Sequence, residues 1–189
     1  MPALRDMTTD EQLVEDFQRG SRDAFAELFR RYREKMYGFF RRRTENPARA
    51  EELAQETFLA ALKAAPRFEP RALVRTWLFG IAMNLLRADR RKVGQAFQLA
   101  SLPLDKASAT DCDAASALWV REALAQLDED HREVLLLREY EQLSYAEIAA
   151  LLALPVNTVR SRLFRARMAL RELLAPRSPS LGTHDRAVM

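Results

Sequence analysis

The sequence predicts an all-α protein: two small helical domains joined by a flexible linker. Three observations carry this reading. Leu, Ala, Arg and Glu dominate the 189 residues, and all four favour helix. Glycine, the residue of turns and irregular backbone, occurs only five times. Apolar residues recur at spacings of three and four along most of the chain, and the period is lost over residues 94–113.

The elements follow in order. Residues 10–20 read as a short helix with Leu13, Val14 and Phe17 on one side. Ser21 caps the next, whose stripe is Phe25, Leu28, Phe29, Tyr32, Met36, Phe39 and Phe40. Arg41, Arg42 and Arg43 suit its C-terminus, where cations are favoured. Asn46-Pro47 restarts helix, an N-cap followed by proline at the first position, and the helix runs to about Ala65. Leu53, Phe58, Ala61 and Leu62 are its expected inner face. The loop PRFEP, between Pro66 and Pro70, precedes a helix from about Arg71 to Lys92 buried through Val74, Leu78, Ile81, Ala82 and Leu85. Residues 94–113, rich in Ser, Ala, Thr and Asp, read as the linker. Helix resumes near Ala114, with Leu118, Trp119, Ala123, Leu124 and Leu127 inward. Asp128 or Asp130 caps the next helix, and Ser144 with Glu147 forms a capping box for another. The domains are expected at 10–95 and 114–175, with linker 96–113 between them and a disordered tail at 176–189.

Net charge is only +3 but unevenly spread. Between Arg67 and Lys92, seven basic residues stand against Glu69 and Asp89. Such segregation fits a surface for a polyanion, and it also fits ordinary solvated helix faces. The C-terminal segment is more specific. A capped helix with Ile148, Ala149 and Leu152 meets a turn at Ala153-Leu154-Pro155. A second helix then begins near Asn157 or Thr158, either of which can be its N-cap. Val159, Leu163, Ala166 and Leu170 share one face; Arg160, Ser161, Phe164, Arg165 and Met168 lie on or near the other. This is the layout of a helix-turn-helix, whose second helix enters the major groove. Arg160 is placed to pair with guanine, and Asn157, Thr158 and Ser161 to touch bases or phosphates. Arg162, Arg165 and Arg167 suit phosphates, which add affinity without sequence choice. The competing description is a plain helical hairpin with a solvated arginine face.

In the first domain, RTWLFGIAMNLLRADRRK (75–92) puts Trp77 and Asn84 on one face, with Arg87, Arg90 and Arg91 extending it and Phe68 just upstream. Aromatics beside arginines suit single-stranded DNA. Trp77 is expected partly buried, and it serves either as core or as a stacking platform. The helix EELAQETFLAAL (51–62) carries an acidic-polar edge of Glu51, Glu52, Gln55 and Glu56 beside Leu53, Phe58 and Leu59. That edge would repel DNA and suits a protein partner, or it is an ordinary amphipathic face.

In combination, GSRDAFAELFRRY, EELAQETFLAAL, RTWLFGIAMNLLRADRRK and LDEDHREVLLLREYEQLSYAEIAALLALPVNTVRSRLFRAR occur in this order over most of residues 10–170. The chain thereby resembles bacterial extracytoplasmic-function sigma factors of the sigma-70 family. The resemblance implies a region 2-like domain at 10–95 and a region 4-like domain at 114–175. It implies a protein that binds core RNA polymerase and directs it to promoters, under control of an anti-sigma factor. By this resemblance Glu52, Leu53, Gln55, Glu56 and Phe58 bind polymerase. Arg67, Phe68, Arg75, Trp77, Asn84, Arg87, Arg90 and Arg91 read and open the −10 element. Asn157, Thr158, Arg160, Ser161, Arg162, Arg165 and Arg167 read the −35 element. Ala153 and Asn157 stand where the family often has glycine; Asn157 is a mild change, and Ala153 implies a turn that needs no positive φ. The PRFEP loop departs from the commoner Gly- and Asp-containing version.

The nearest rival is a two-domain helix-turn-helix regulator that binds duplex DNA without being a polymerase subunit. An enzyme is not expected: there is no Gly-rich phosphate loop and no cluster of catalytic acids, and His131, His184 and Cys112 match no metal-ligand spacing. No cofactor or metal is implied. The single cysteine forms no intrachain disulfide, and no apolar run is long enough to insert in a bilayer, so a cytoplasmic protein is expected.

Overall fold

The computed structural model describes residues 8–44, 46–69, 73–97 and 112–175. They form eight α-helices and no strand. The first unit holds α1 (Asp10–Gln18), α2 (Arg22–Arg41), α3 (Pro47–Ala64), a 3-10 turn (Ala65–Arg67) and α4 (Val74–Phe97). The second holds α5 (Cys112–Gln126), α6 (Glu129–Glu139), α7 (Tyr145–Leu152) and α8 (Val156–Leu173). Residues 94–97 and 112–113, expected in the linker, are helical, and 98–111 and 176–189 lie outside the described residues. Among the described residues no helix is long and apolar enough to cross a membrane.

Local chemistry sets the helix starts. Asn46 accepts from the Ala48 and Arg49 backbone N–H groups, with Pro47 at the first position. Ser144 and Glu147 close a capping box on α7, and Thr9 with Gln12 forms another on α1. In the first unit α2, α3 and α4 enclose Leu28, Met36, Phe39, Phe40, Leu53, Phe58, Leu78, Phe79 and Leu86, all nearly or wholly buried. Phe39 meets Phe40 edge-on at 5.1 Å, and its centroid lies 5.6 Å from that of Phe79. Helix α1 covers one side through Leu13 and Val14, and the Tyr32 hydroxyl donates to Asp10 at 2.5 Å. Burial and the Asp10 carboxylate push the Tyr32 hydroxyl well above its ordinary pKa.

Several expectations change. Leu62, Phe29 and Trp119 are exposed (40%, 41% and 48%) rather than inward. On α4 the deepest residues include Phe79, Met83 and Leu86, while Ile81 and Leu85 are only half-buried. The stretch LFGIAMNLL is apolar nearly all round, so periodicity does not set its phase. Helix α8 starts one to two residues early: Pro155 is its N-cap in extended geometry, so neither Asn157 nor Thr158 is the cap. Proline presets the φ needed there without a side-chain cap.

The turn between α7 and α8 also differs. Ala153 is left-handed, at φ 55° and ψ 45°, and the Leu154 N–H donates to the Ala149 carbonyl at 2.9 Å. This is the glycine-type helix ending, built with alanine. The helix-turn-helix geometry demands the positive φ, and the Cβ bears it at about 1–2 kcal/mol. Replacing Ala153 by Gly is expected to raise stability by about 0.5–1 kcal/mol, after the added freedom of the unfolded chain is subtracted. Urea unfolding of the two proteins checks this; equal or lower stability contradicts it.

The two units pack on each other. Arg43, its side chain 1% exposed, sits between Glu133 at 3.0 Å and Glu141 at 3.2 Å, and its guanidinium lies 3.9 Å from the Phe39 ring centroid. Glu141 also receives Arg42 at 2.9 Å. A side chain at Gly38 would come within 3.0 Å of the Arg42 guanidinium, so glycine leaves room for that reach. Further along, Arg75 and Thr76 donate to Glu147 at 2.6 and 3.1 Å, and Arg90 to Glu129 at 2.5 Å.

Candidate nucleic-acid interface

Helix α8 has two faces. Val159, Leu163 and Ala166 are buried against α6 and α7, with Leu170 half-buried. Arg160, Ser161, Phe164, Arg165 and Met168 are exposed on the other side. Asn157 is exposed and Thr158 half-buried at the entry turn, where the Thr158 carbonyl accepts from the Ser161 hydroxyl at 3.0 Å. The arginines at 160, 162, 165 and 167 divide. Arg162 pairs with Asp130 at 2.7 Å and Arg167 with Glu139 at 2.6 Å, so both fasten α8 to α6. Arg160 and Arg165 make no ion pair among the described residues. With Arg171 in the last turn, which is also exposed and makes no ion pair among the described residues, they are the unpaired guanidinium groups this helix holds out to solvent.

The first unit contributes a cavity of about 460 Å³ lined by Arg67, Phe68, Trp77, Gly80, Met83 and Asn84. Phe68 and Trp77 are half-buried, with ring centroids 4.8 Å apart. The pair therefore anchors on the core and still offers a ring face. Trp77 and Asn84, seven residues apart on α4, both line the cavity, as one helical face requires. Arg87 and Arg91 are exposed nearby and make no ion pair among the described residues. Arg75 and Arg90 are engaged by the second unit, through Glu147 and Glu129. Burial alone would raise the Glu147 carboxyl; Arg75 and Ser144 outweigh it and hold the pKa at about 2. Ala150 and Leu151 of α7 roof the same cavity, and a side chain at Gly80 would meet Leu151 at 3.8 Å.

Helix α3 presents Glu52 and Gln55 to solvent, with Glu56 half-buried. Arg49 ties Glu52 at 2.8 Å and Glu56 at 3.3 Å, and is itself held to Asp89 at 2.7 Å. Leu53 and Phe58, expected as part of a docking face, are 1% and 6% exposed. They seat the helix in its core and present nothing outward. The apolar side chains α3 exposes are Leu59 (57%) and Leu62 (40%). Leu59 stood in the sequence beside the acidic edge, and exposure is the property that singles it out.

Comparison with known proteins agrees with this geometry. The family model for Sigma-70 region 2 matches residues 28–95, and that for Sigma-70, region 4, matches residues 117–170. The RNA polymerase sigma-H factor of Pseudomonas aeruginosa is 35% identical over 88% of this chain and 94% of its own. The ECF RNA polymerase sigma-E factor of Escherichia coli is 34% identical over 92% of this chain and 98% of its own. Among solved structures, CnrH in complex with the cytosolic domain of CnrY superimposes with a TM-score of 0.71 at 28% identity, over 89% of this chain and 99% of that one. The sigma factor RpoE of Bartonella quintana, solved with the anti-sigma factor NepR, gives 0.67 at 27% identity, over 82% and 98%. The chain belongs to the sigma-70 family of RNA polymerase sigma factors, in the extracytoplasmic-function group. It is not an enzyme; it binds core RNA polymerase and directs promoter recognition, which decides against the stand-alone regulator.

Proposed function

We propose that residues 10–95 read and open the −10 element and dock on polymerase, while residues 114–175 read the −35 element. The observation that carries the second half is the division of α8 into a buried apolar face and an exposed face holding Arg160 and Arg165. Arg160, with Asn157, Thr158 and Ser161 on the first turns, addresses base edges of duplex DNA. Arg165 addresses phosphate, and Arg162 and Arg167 reach phosphates only by sharing or exchanging their carboxylate partners. At the −10 element a base leaves the stack for the cavity between Phe68, Trp77 and Asn84, while Arg67, Arg87 and Arg91 neutralise phosphates. Arg75 and Arg90 join them once Glu147 and Glu129 let go. The cavity roof at Ala150 and Leu151 must also lift, so promoter engagement separates the two units.

Polymerase docks on α3 through Glu52, Gln55 and Glu56 with Leu59 and Leu62. An exposed leucine beside carboxylates gives a partner both an apolar anchor and a charge to match. Leu59→Ser is expected to weaken core polymerase binding about tenfold, equivalent to about 1.4 kcal/mol. Helical content and unfolding midpoint should stay unchanged because the side chain is already exposed. Unaltered binding would move the dock elsewhere. An anti-sigma partner is expected by similarity to relatives solved with one, and surfaces that open for DNA are the ones such a partner would cover.

A further inference from the structure

Helix α1 lies outside every DNA-facing surface described above, yet it holds both the turn that carries Phe68 and the first residue of α4. The Gln18 side-chain amide donates to the Ala65 carbonyl at 2.8 Å and to the Phe68 carbonyl at 2.9 Å. These carbonyls bracket the 3-10 turn, which closes with a backbone hydrogen bond from the Phe68 N–H to the Ala65 carbonyl at 3.0 Å. On the far side, a Glu11 carboxylate oxygen accepts from the Val74 N–H at 3.2 Å. That N–H begins α4 and has no partner within its own helix. Helix α1 is itself anchored independently, through buried Leu13 and Val14 and through Asp10 to Tyr32 and Arg31.

A short turn and an extended residue fix little by themselves. Their position comes from partners 47, 50 and 63 residues away in the chain. Phe68 in turn packs against Trp77, its ring tilted by 48° to the indole, and lines the cavity. We infer that Gln18, supported by Glu11, is a positioning residue that sets the Phe68 loop and thereby the base specificity of the cavity. This rests on the reading of that cavity as the −10 base site. Glutamine suits the task because one amide nitrogen carries two N–H groups, one for each carbonyl. Glutamate has the same length and no donor, and it would set a carboxylate against two carbonyl oxygens.

The test uses holoenzyme assembled from core RNA polymerase and the full chain. The probe is the non-template −10 strand of a promoter that the holoenzyme selects from a randomised pool, intact or with one abasic site at each position in turn. The wild-type holoenzyme should lose about fivefold or more in affinity when the captured base is missing, as stacking contributions imply. If no position shows this, the cavity reading fails first. Where it does, Gln18→Glu should bind the intact and abasic strands within about twofold of each other, while core polymerase binding and helical content stay at wild-type values. Glu11→Gln, which keeps an acceptor for Val74, should retain the discrimination. Wild-type discrimination in Gln18→Glu overturns the inference. So does a loss of core polymerase binding in the same proportion, which would mark a general structural role.

Discussion

Replacing Glu141 by Ala should cost about 3 kcal/mol of the contact between the two units, the lower end of the range for removing one partner of a buried ion pair. Arg43 is almost wholly enclosed and would keep Glu133 as its one carboxylate partner; Arg42 would lose its carboxylate. Glu141 is the better residue to remove. Arg43 also lies over the Phe39 ring and donates to the Phe39 carbonyl at 3.0 Å, so its loss would damage the first unit itself. The expected result is a longer distance between fluorescent labels on α2 and α6, with helical content unchanged. A double-mutant cycle with Arg42→Ala, whose guanidinium meets Glu141 at 2.9 Å, should give a coupling well above zero. An unchanged distance and no coupling would show that the apolar contact of Leu151 with α4 holds the units together without the ion cluster.

The second large effect concerns Arg160. Its side chain is exposed and makes no ion pair among the described residues, so removing it leaves no buried charge and costs no fold stability. What is lost is a guanidinium fork for one base pair, about 1–3 kcal/mol of discrimination, or roughly 5- to 150-fold. Transcription from a library of −35 variants should therefore lose preference at one position and keep it at the others. Arg165→Ala should instead lower all variants by a similar factor, as a phosphate contact does. A uniform loss for Arg160→Ala would reassign it to the backbone.

These predictions draw on different kinds of information. The caps at Asn46 and Ser144 and the inner face of α8 were legible because each is local: one side chain and backbone groups within three residues, or one helical period. Trp77 and Asn84 on one face of α4 followed from the same helical period, whereas the contact of Phe68 with Trp77 appears only in the folded structure. The turn at Ala153 was misjudged because residue type argues against a positive φ, and the packing of α7 on α8 overrides it. Leu53 and Phe58 face inward as the helical period of α3 implies, whereas the family resemblance alone gave them a polymerase-binding role; Leu62, expected beside them, is exposed because α3 is apolar on more than one side. Only the packing of α2 and α4 decides that Leu59 and Leu62 point out. The ties of Arg43 to Glu141 and of Arg75 to Glu147 span 98 and 72 residues, and nothing local marks either pair. The same holds for Gln18 and the Phe68 loop.

The most direct single measurement is a titration of core RNA polymerase, followed by promoter DNA, into the protein labelled on α2 and α6. The account predicts saturation at one protein per polymerase and an increase in label distance as the cavity roof at Ala150 and Leu151 lifts from the Phe68–Trp77 face. Binding with the distance unchanged would contradict promoter reading by separated units, and absence of binding would contradict the polymerase dock on α3.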